Sequence, residues 1–292
     1  MIFNKYKNQQ SKVKNGISII ITAYKAQDYI EETLDSLQAQ TWLQSHDNYE
    51  ILLGIDHCED TLKKVRNIVN KYQNITVIYM KENYGTYITS NTLISLAKYN
   101  WILRFDADDI MKPNMIESIF DFLEVKPNTD ILRFYYKSFS DNIKDLSKRA
   151  TIAHGIICAA KSMFKKYGCY MPWICGADTE LLTRLKNEVK IEEIIKVTFL
   201  RRKHEESLTQ SPETNSHSKI RAKYREYIKS ASLTTPIIET VTGDYSMIDF
   251  TKPTIYYEPE ELEEPEELKK VKRIKAVSKK IYLRTPHAYN GI

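Results

Sequence analysis

Short runs of β-branched and aliphatic residues alternate with amphipathic segments along the first two thirds of the chain. The run Ile17 to Thr22 has the length and composition of a buried parallel strand. A helix is expected next, because Ile30, Leu34 and Leu37 recur at helical spacing. Asp28 stands at the expected N-cap of that helix. The chain therefore opens with a strand followed by a helix.

The same alternation continues through most of the chain. It predicts strands at 50–55, 75–80, 101–105, 130–136 and 194–200, and helices at 61–72, 86–98, 113–124, 178–190 and 219–232. Pro113 is expected in a first helical turn, and the polar stretch 138–149 is expected to be a loop. Alternating strands and helices predict an α/β fold, Rossmann-like, with a mostly parallel central sheet flanked by helices.

Composition narrows the class of protein only slightly. Of 292 residues, 42% are apolar, which is enough for a well-buried core. The net charge of +5 is small beside 43 basic and 38 acidic residues, so it implies no nucleic-acid partner. The lysine-rich start lacks the apolar core of a secretory signal, and no apolar run approaches the roughly 20 residues of a membrane span. We therefore expect a cytoplasmic protein whose four cysteines are ordinary reduced thiols.

An acidic cluster directly follows the predicted strand at 101–105. Asp106, Asp108 and Asp109 lie at a carboxyl end, where open α/β sheets bind their ligands. Carboxylate oxygens are the ligands that Mg²⁺ and Mn²⁺ prefer. The cluster is therefore either a divalent-cation site or a solvated acidic turn before a helix.

Considered together, the segments from Ile17 to Thr209 resemble the inverting family 2 glycosyltransferases of GT-A fold. The opening strand and turn, 17–24, and the following helix, 29–40, are similar to the family's first strand and nucleotide-contacting turn. Ala23 stands where the family usually has proline. The resemblance implies that Thr22 and Tyr24 contact the nucleoside.

Further motifs follow in the family's order. Asp56 ends the second strand, where the resemblance implies a contact to uracil. The turn and helix after the third strand resemble the family's Asn-x-Gly motif and helix-borne asparagine, near the donor's diphosphate and sugar. The residues that carry this implied donor contact are Asn83, Gly85, Asn91, Arg104 and Asp106.

The resemblance also implies a metal and a general base. Asp106, Asp108 and His204 are the implied ligands of Mn²⁺ or Mg²⁺, with Asp109 in reserve. Asp178 matches the family's base, although Ala177 replaces the glutamate that usually precedes it, and Glu180 is the substitute base. A helix N-cap is the alternative role for Asp178.

The expected function is transfer of a sugar from a nucleotide-sugar donor, UDP-linked by preference, to a glycan or glycolipid acceptor. A catalytically inactive nucleotide-sugar-binding or glycan-binding protein is the alternative, motivated by Ala177. A nucleotidyltransferase is disfavoured, because the chain has eight glycines and no glycine-rich phosphate loop.

Three regions are expected from these patterns: a tail at 1–15, a GT-A domain at 16–215, and a helical and charged C-terminal extension at 216–292. The domain divides into a nucleotide-binding half, 16–110, and an acceptor half, 111–215. The extension holds an acidic run at 258–267 and basic residues at 269–280. Such charged blocks are typical of solvated helices or extended interaction tails. Peripheral contact of the basic part with the inner face of a membrane is the alternative.

Overall fold

A single nine-stranded sheet is the centre of the computed structural model, which describes residues 14–140, 142–204, 207–230 and 241–250. In chain order its strands are β1 (Lys14–Ala23), β2 (Tyr49–Ile55), β3 (Ile75–Met80), β4 (Tyr99–Asp106), β5 (Ile110–Met111), β6 (Ile131–Phe139), β7 (Thr151–Ala160), β8 (Ile191–Arg202) and β9 (Tyr245–Ile248). The helices are α1 (Ile30–Gln38), α2 (Glu59–Ile68), α3 (Thr86–Leu96), α4 (Met115–Val125), α5 (Lys161–Tyr167), α6 (Ala177–Leu185) and α7 (Lys219–Ser230). The spatial strand order is β5-β8-β6-β7-β4-β1-β2-β3-β9.

The four strands β4, β1, β2 and β3 pair in parallel and form the first half of the sheet. Thr22 of β1 lies level with Gly54 of β2 and with Asp106 of β4. The ends of three strands therefore meet at one edge, as the sequence predicts. In the second half β7 runs antiparallel to both β4 and β6, so the sheet as a whole is mixed.

Helices cover both faces of this sheet. Alternate residues of β1 enter different cores: Ile19 and Ile21 pack with α1, α2 and α4, and Ile20 packs with α3, α5 and α6. Because both faces are covered, β1 is apolar at four of the five positions from Ile17 to Ile21 instead of at every second one. The predicted α/β class, with a central sheet flanked by helices, is confirmed.

Two local predictions of helix starts are wrong. Tyr29, not Asp28, occupies the N-cap of α1, and no side chain caps this helix. The amide groups of Tyr29 and Ile30 instead donate to the Ala26 carbonyl, so a backbone turn starts the helix. Pro113 lies before α4, whose N-cap is Asn114.

The sequence missed β7 and α5 altogether. The β7 segment has His154 and Gly155 at its centre and an exposed first residue, so it lacks the continuous apolar run of a buried strand. Its pairing with β6 shifts register between Arg133 and Tyr135. Strand β7 forms because β4 and β6 both pair with it, which is a long-range effect.

The last described elements pack on the sheet and its helices. Tyr224 of α7 stacks on Trp173, with ring centroids 4.2 Å apart and planes 2° apart. Strand β9 pairs antiparallel with β3 at the sheet edge. The acidic run and the basic residues near the C-terminus lie outside the described residues.

Two predictions from composition bear on the described part of the chain. Within it, no helix combines the length and apolar character needed to cross a bilayer. Cys58, Cys158, Cys169 and Cys175 are all free and buried, as expected for ordinary thiols.

Candidate active site

The three carboxylates that follow β4 have different surroundings. Asp106 remains 40% exposed, and its Oδ1 lies 3.0 Å from Nη1 of Arg104. Asp108 is 25% exposed and its Oδ2 lies 2.8 Å from Nε2 of His204. Asp109 is buried, and its Oδ1 accepts a hydrogen bond from the Arg202 amide at 2.9 Å. Of the three, therefore, only Asp106 and Asp108 keep surface open to solvent at this edge of the sheet, which we call the cleft.

These surroundings act differently on the pKa values of Asp106 and Asp109. Loss of hydration raises the pKa of Asp106; the Arg104 guanidinium opposes this effect and the Asp108 carboxylate adds to it. Burial raises the pKa of Asp109 well above its ordinary value, and the two neighbouring aspartates raise it further. Asp109 is held as a buried support beneath the cleft, which leaves it poorly placed as a reserve metal ligand.

His204 comes from the chain just after β8 and meets the acidic cluster. Its ring lies 4.6 Å from that of Tyr29, and its buried Nδ1 has no hydrogen-bond partner among the described residues. Two partly exposed carboxylates and an imidazole are donors that suit Mn²⁺ and, for the carboxylates, Mg²⁺. The residue types therefore fit a divalent ion, although no described group of three His, Cys, Asp or Glu residues is arranged to hold one.

Arg104 lies beneath the cleft and connects the elements around it through hydrogen bonds. It is buried, and it donates to Ser90 Oγ at 3.2 Å, to Thr86 Oγ1 at 3.0 Å and to the Gly155 carbonyl at 2.8 Å. Burial lowers the pKa of Arg104, but Asp106, Asp178 and the nearby tyrosines Tyr87 and Tyr170 together outweigh burial, so the pKa is raised. One permanent cation thus joins α3, β7 and the acidic cluster.

Asp56 organises the loop that leads into α3. Its two carboxylate oxygens accept from the amides of Tyr84 and Gly85, at 2.9 and 2.8 Å, and from the Thr89 hydroxyl at 3.1 Å. Gly85 has φ +84°, a left-handed conformation that favours glycine, and it precedes the first residue of α3. Burial raises the pKa of Asp56 while these three hydrogen bonds lower it.

The other predicted donor contacts fall in different places. Thr22 lies in the cleft, with its Oγ1 2.8 Å from that of Thr86. The side chains of Tyr24 and Asn83 are exposed at the same edge of the sheet. Asn91 is fully buried, and its amide bonds the main chain of Tyr170 and the carbonyl of Val241. The structure thus brings Asn91 to a packing role and not to the cleft.

Asp178 lies in the first turn of α6, next to the Arg104 network. Gly176, with φ +80°, occupies the N-cap, so the N-cap alternative for Asp178 is wrong. Asp178 Oδ1 accepts from the Thr179 amide at 2.8 Å and from the Tyr87 hydroxyl at 3.1 Å. A Cβ atom placed on Gly155 would lie 3.2 Å from Arg104 Nη1 and 3.5 Å from Asp178 Oδ2. Arg104 and Asp178 therefore both approach Gly155 on the side where any other residue would carry a side chain.

Glu180 lies on another side of α6. Both of its oxygens contact Arg184, at 2.7 and 3.3 Å, and both side chains are buried. Arg184 also donates to the carbonyls of Tyr167 and Cys169. The structure brings Glu180 to a buried ion pair and not to the cleft, and we do not retain it as a substitute base.

Sequence reasoning missed four residues that shape the cleft: Thr86, Tyr87, Ser90 and Gly155. The first three follow the Asn-x-Gly turn, but side chains of these types carry no distinctive signal in the middle of a helix. Gly155 does carry one, since a glycine inside a strand often marks a close approach. Because β7 was itself not predicted, that signal had no context.

A family model described as glycosyl transferase family 2 matches residues 18–176, more than half of the chain. A Haemophilus influenzae protein named as an uncharacterized glycosyltransferase is 35% identical over 109 residues, 37% of this chain and 32% of its own. An Escherichia coli protein named UDP-Glc:alpha-D-GlcNAc-diphosphoundecaprenol beta-1,3-glucosyltransferase WfaP is 30% identical over 125 residues, 42% of this chain and 45% of its own. The chain thus spans less than half the length of these two curated relatives.

Solved structures share the fold at low sequence identity. Residues 1–349 of S. aureus TarS, in complex with UDP-GlcNAc, superpose with a TM-score of 0.56 at 17% identity, over 66% of this chain and 60% of that one. The mannosyltransferase PcManGT from Pyrobaculum calidifontis, in complex with GDP-Man and Mn²⁺, gives 0.51 at 15% identity, over 65% and 59%. The GT-A fold is confirmed by these likenesses. By the family model, with the acidic cluster at the end of β4, the chain belongs to glycosyl transferase family 2.

Proposed function

We propose that this protein is an inverting glycosyltransferase in which Asp178 is the general base. The observation that carries the proposal is the position of Asp178, which approaches Gly155 from the same side as Arg104, the ion-pair partner of Asp106. Transfer from a nucleotide sugar needs a base close to an acidic cluster. The base deprotonates the acceptor, and the acidic cluster lies where the diphosphate departs.

In the proposed step, Asp178 takes the proton of an acceptor hydroxyl. That oxygen forms a bond to the anomeric carbon while the bond from this carbon to the diphosphate oxygen breaks on the opposite face. The configuration inverts, and the nucleoside diphosphate leaves with the electron pair. Asp178 keeps the proton until it is lost to water.

The ligands we propose for Mn²⁺ or Mg²⁺ are Asp106, Asp108 and His204. Such an ion, when bound, supplies positive charge to the departing diphosphate, a contribution worth several kcal/mol. The donor types of these side chains support the proposal, and a structural neighbour was solved with Mn²⁺. The contact between His204 and Asp108 holds both side chains at the cleft.

We propose a UDP-sugar as the donor, bound by Thr22, Tyr24, Asp56, Asn83, Gly85, Arg104 and Asp106. A carboxylate offers about four acceptor positions, and Asp56 uses three on protein donors. One position is left for an N–H of the base. UDP-GlcNAc in TarS and UDP-Glc in the name of the E. coli relative support this choice, and GDP-Man in PcManGT is the competing one.

The acceptor we propose is a glycan or glycolipid hydroxyl, and the protein is proposed to act in the cytoplasm. The alternative is a catalytically inactive protein that binds a nucleotide sugar or glycan. One observation favours it: Ala177 is fully buried at the position where the family's glutamate is expected, so no second carboxylate stands directly before Asp178.

The test is release of nucleoside diphosphate from a panel of UDP-sugars and GDP-sugars with Mn²⁺, with water as the acceptor. The Asp178→Asn variant should lower the rate about 10²- to 10⁴-fold, because a positioned base is lost. Asp108→Asn should lower it as well. Asp121→Asn, at an exposed aspartate of α4, is the matched control and should match the wild type.

Other outcomes would decide against parts of this proposal. Full activity of Asp178→Asn beside a dead Asp108→Asn would place the base elsewhere. Calorimetric binding of a nucleotide sugar, without release from any donor under any added glycan acceptor, would favour the binding protein. Proton NMR of the sugar first released from an α-linked donor should show the β anomer, and an α anomer would contradict inversion.

A further inference from the structure

Tyr87 connects the donor side of the cleft to the proposed base. It lies in the first turn of α3, next to Thr86, and is buried. Its hydroxyl lies 3.1 Å from Asp178 Oδ1 and 3.2 Å from the Gly176 amide. Both partners belong to the start of α6, 91 and 89 residues further along the chain.

The direction of these two hydrogen bonds is fixed by chemistry. The Gly176 amide can only donate, so the Tyr87 oxygen accepts from it. The hydroxyl proton is then directed to Asp178. Burial raises the pKa of Tyr87 well above its ordinary value, and the Asp178 carboxylate raises it further, so the phenol keeps its proton across the working range of pH.

The Tyr87 ring is held on two further sides. The guanidinium of Arg104 lies 5.9 Å from its centroid, and the ring of Tyr170 lies 5.5 Å away at a tilt of 38°. A side chain packed in this way has little freedom to rotate, so its hydroxyl is a fixed donor. The Thr179 amide also bonds Asp178 Oδ1 but belongs to the next residue, and this local bond does not tie Asp178 to another element.

We infer that Tyr87 is the positioning residue of the base, holding the Asp178 carboxylate toward the Arg104–Asp106 pair. The inference rests on the proposed function, in which Asp178 deprotonates the acceptor. In this chain Ala177 offers no polar group beside the base, and the phenol supplied from α3 orients it instead. Thr86 contacts Thr22 and Arg104 on the proposed donor side. Because Tyr87 is the next residue of α3, the donor side and the base are linked through two adjacent residues.

Other charged and titratable groups also act on Asp178 and define the background for any test. They come from β4, β7 and the segment before α6, and they are Arg104, Asp106, His154, Tyr170 and Cys175. Among the neighbours of Asp178, Tyr87 is distinguished by a hydroxyl within hydrogen-bond distance of the carboxylate. Removal of this hydroxyl therefore breaks two hydrogen bonds, the one it donates to Asp178 and the one it accepts from the Gly176 amide, and leaves the five background groups in place.

The experiment compares Tyr87→Phe with Tyr170→Phe. Tyr170 is an apt control, because it is equally buried and its hydroxyl has no hydrogen-bond partner among the described residues. With UDP-glucose, UDP-GlcNAc or whichever donor the wild type hydrolyses, Tyr87→Phe should lower kcat about 10- to 100-fold, since a misplaced base costs up to that factor. Its KM and its affinity for UDP should stay at the wild-type values, and Tyr170→Phe should match the wild type in all three.

A second readout does not need activity. The ¹³C carboxyl resonance of Asp178, assigned by its loss in Asp178→Asn, is compared between variants at a single pH in the metal-free protein. An O–H donated to a carboxylate polarises it, so the chemical shift should change in Tyr87→Phe and keep its wild-type value in Tyr170→Phe.

Each result bears on a different claim. An unchanged Asp178 chemical shift in Tyr87→Phe would overturn the positioning role, whatever the activity. An active wild type with an equally active Tyr87→Phe would overturn it too. A changed chemical shift in a protein that releases nucleotide from no donor, with or without a glycan acceptor, would uphold the contact and refute the proposed function instead. Equal loss of kcat in both Phe variants would assign the effect to core packing.

Discussion

At the scale of single residues, the acidic cluster shows that aspartates close together in sequence can have different roles because their burial differs. Asp106 and Asp108 keep part of their surface in the cleft, while Asp109 is 2% exposed and bonded to the Arg202 amide. The acidic pattern alone does not rank these three carboxylates, and the resemblance to the family places Asp109 in reserve. Their different burial makes two of them candidates for a cation and the third a support for β8.

We expect Asp109→Asn to be more stable than the wild type in metal-free buffer at neutral pH. A raised pKa means that ionisation costs more in the folded than in the unfolded state, so the wild type loses stability as pH rises between the two values. Asparagine still accepts from the Arg202 amide and does not ionise. Its advantage should grow by about 1.4 kcal/mol for each pH unit in that window.

Urea unfolding at several pH values, with EDTA present, measures this difference. Glu124→Gln, at an exposed carboxylate of α4, is the control and should show no such trend. An Asp109→Asn variant that loses stability relative to the wild type as pH rises would contradict the burial argument.

At the scale of elements, α6 carries two carboxylates with separate tasks. Residues two apart on a helix point about 200° apart, so Asp178 and Glu180 cannot serve the same cleft. Asp178 faces Tyr87 and Gly155, and Glu180 pairs with Arg184, which in turn holds the chain at Tyr167 and Cys169. This buried pair fixes the helix that presents the base.

We expect Glu180→Ala to lower the free energy of unfolding by about 3–5 kcal/mol, because it leaves the Arg184 charge buried and unpaired. Asp178→Asn should leave that free energy nearly unchanged, since it keeps the size and an acceptor oxygen. Nucleotide release per folded molecule should show the reverse order, with Asp178→Asn the less active. A Glu180→Ala protein that is fully stable and inactive would restore Glu180 as a candidate base.

Local sequence pattern predicted most of the strands and helices, and it located β3 at its observed bounds, Ile75–Met80. It failed for β7 and α5, where no periodic signal exists because the segments are ordered by their neighbours. The division into a tail, a domain at 16–215 and an extension stays a prediction. Within the described residues, α7 and β9 both pack on the sheet and the helices that cover it.

At the scale of the whole molecule, the chain returns to the nucleotide-binding half near its described end. The Val241 carbonyl accepts from Asn91, the Gly243 amide donates to Thr92, and the Lys81 amide donates to the Asp244 carbonyl. Strand β9 then covers the outer edge of β3. This segment closes the sheet edge that adjoins the Asp56 loop.

We therefore expect a chain that ends at residue 240 to be less stable by several kcal/mol, at about 1 kcal/mol for each lost hydrogen bond, and to aggregate through the open edge of β3. A chain that ends at residue 250 is the matched control and should keep the wild-type urea midpoint. Equal midpoints for the two truncations would show that β9 contributes nothing.

The chain that ends at residue 250 also tests the predicted membrane contact, because the basic residues expected to make it lie beyond that position. The full chain should sediment with vesicles containing phosphatidylserine at low salt, because each basic residue near an anionic surface contributes roughly 1 kcal/mol. The chain ending at 250 should stay in the supernatant. Equal sedimentation of both would place any membrane contact elsewhere.

Short-range patterns of the sequence determined the class of fold, through strand periodicity, and the edge of the sheet where parallel strands end with Asp56 and Asp106. The family was recognised from the resemblance of its motifs in order along the chain, and the family model over residues 18–176 confirms it. Tertiary structure alone decided which of the candidate groups meet there. It buried Asp109 and Asn91, turned Glu180 toward Arg184, and brought Tyr87 to Asp178 across 91 residues. Such contacts depend on packing between distant elements, and no local pattern records them.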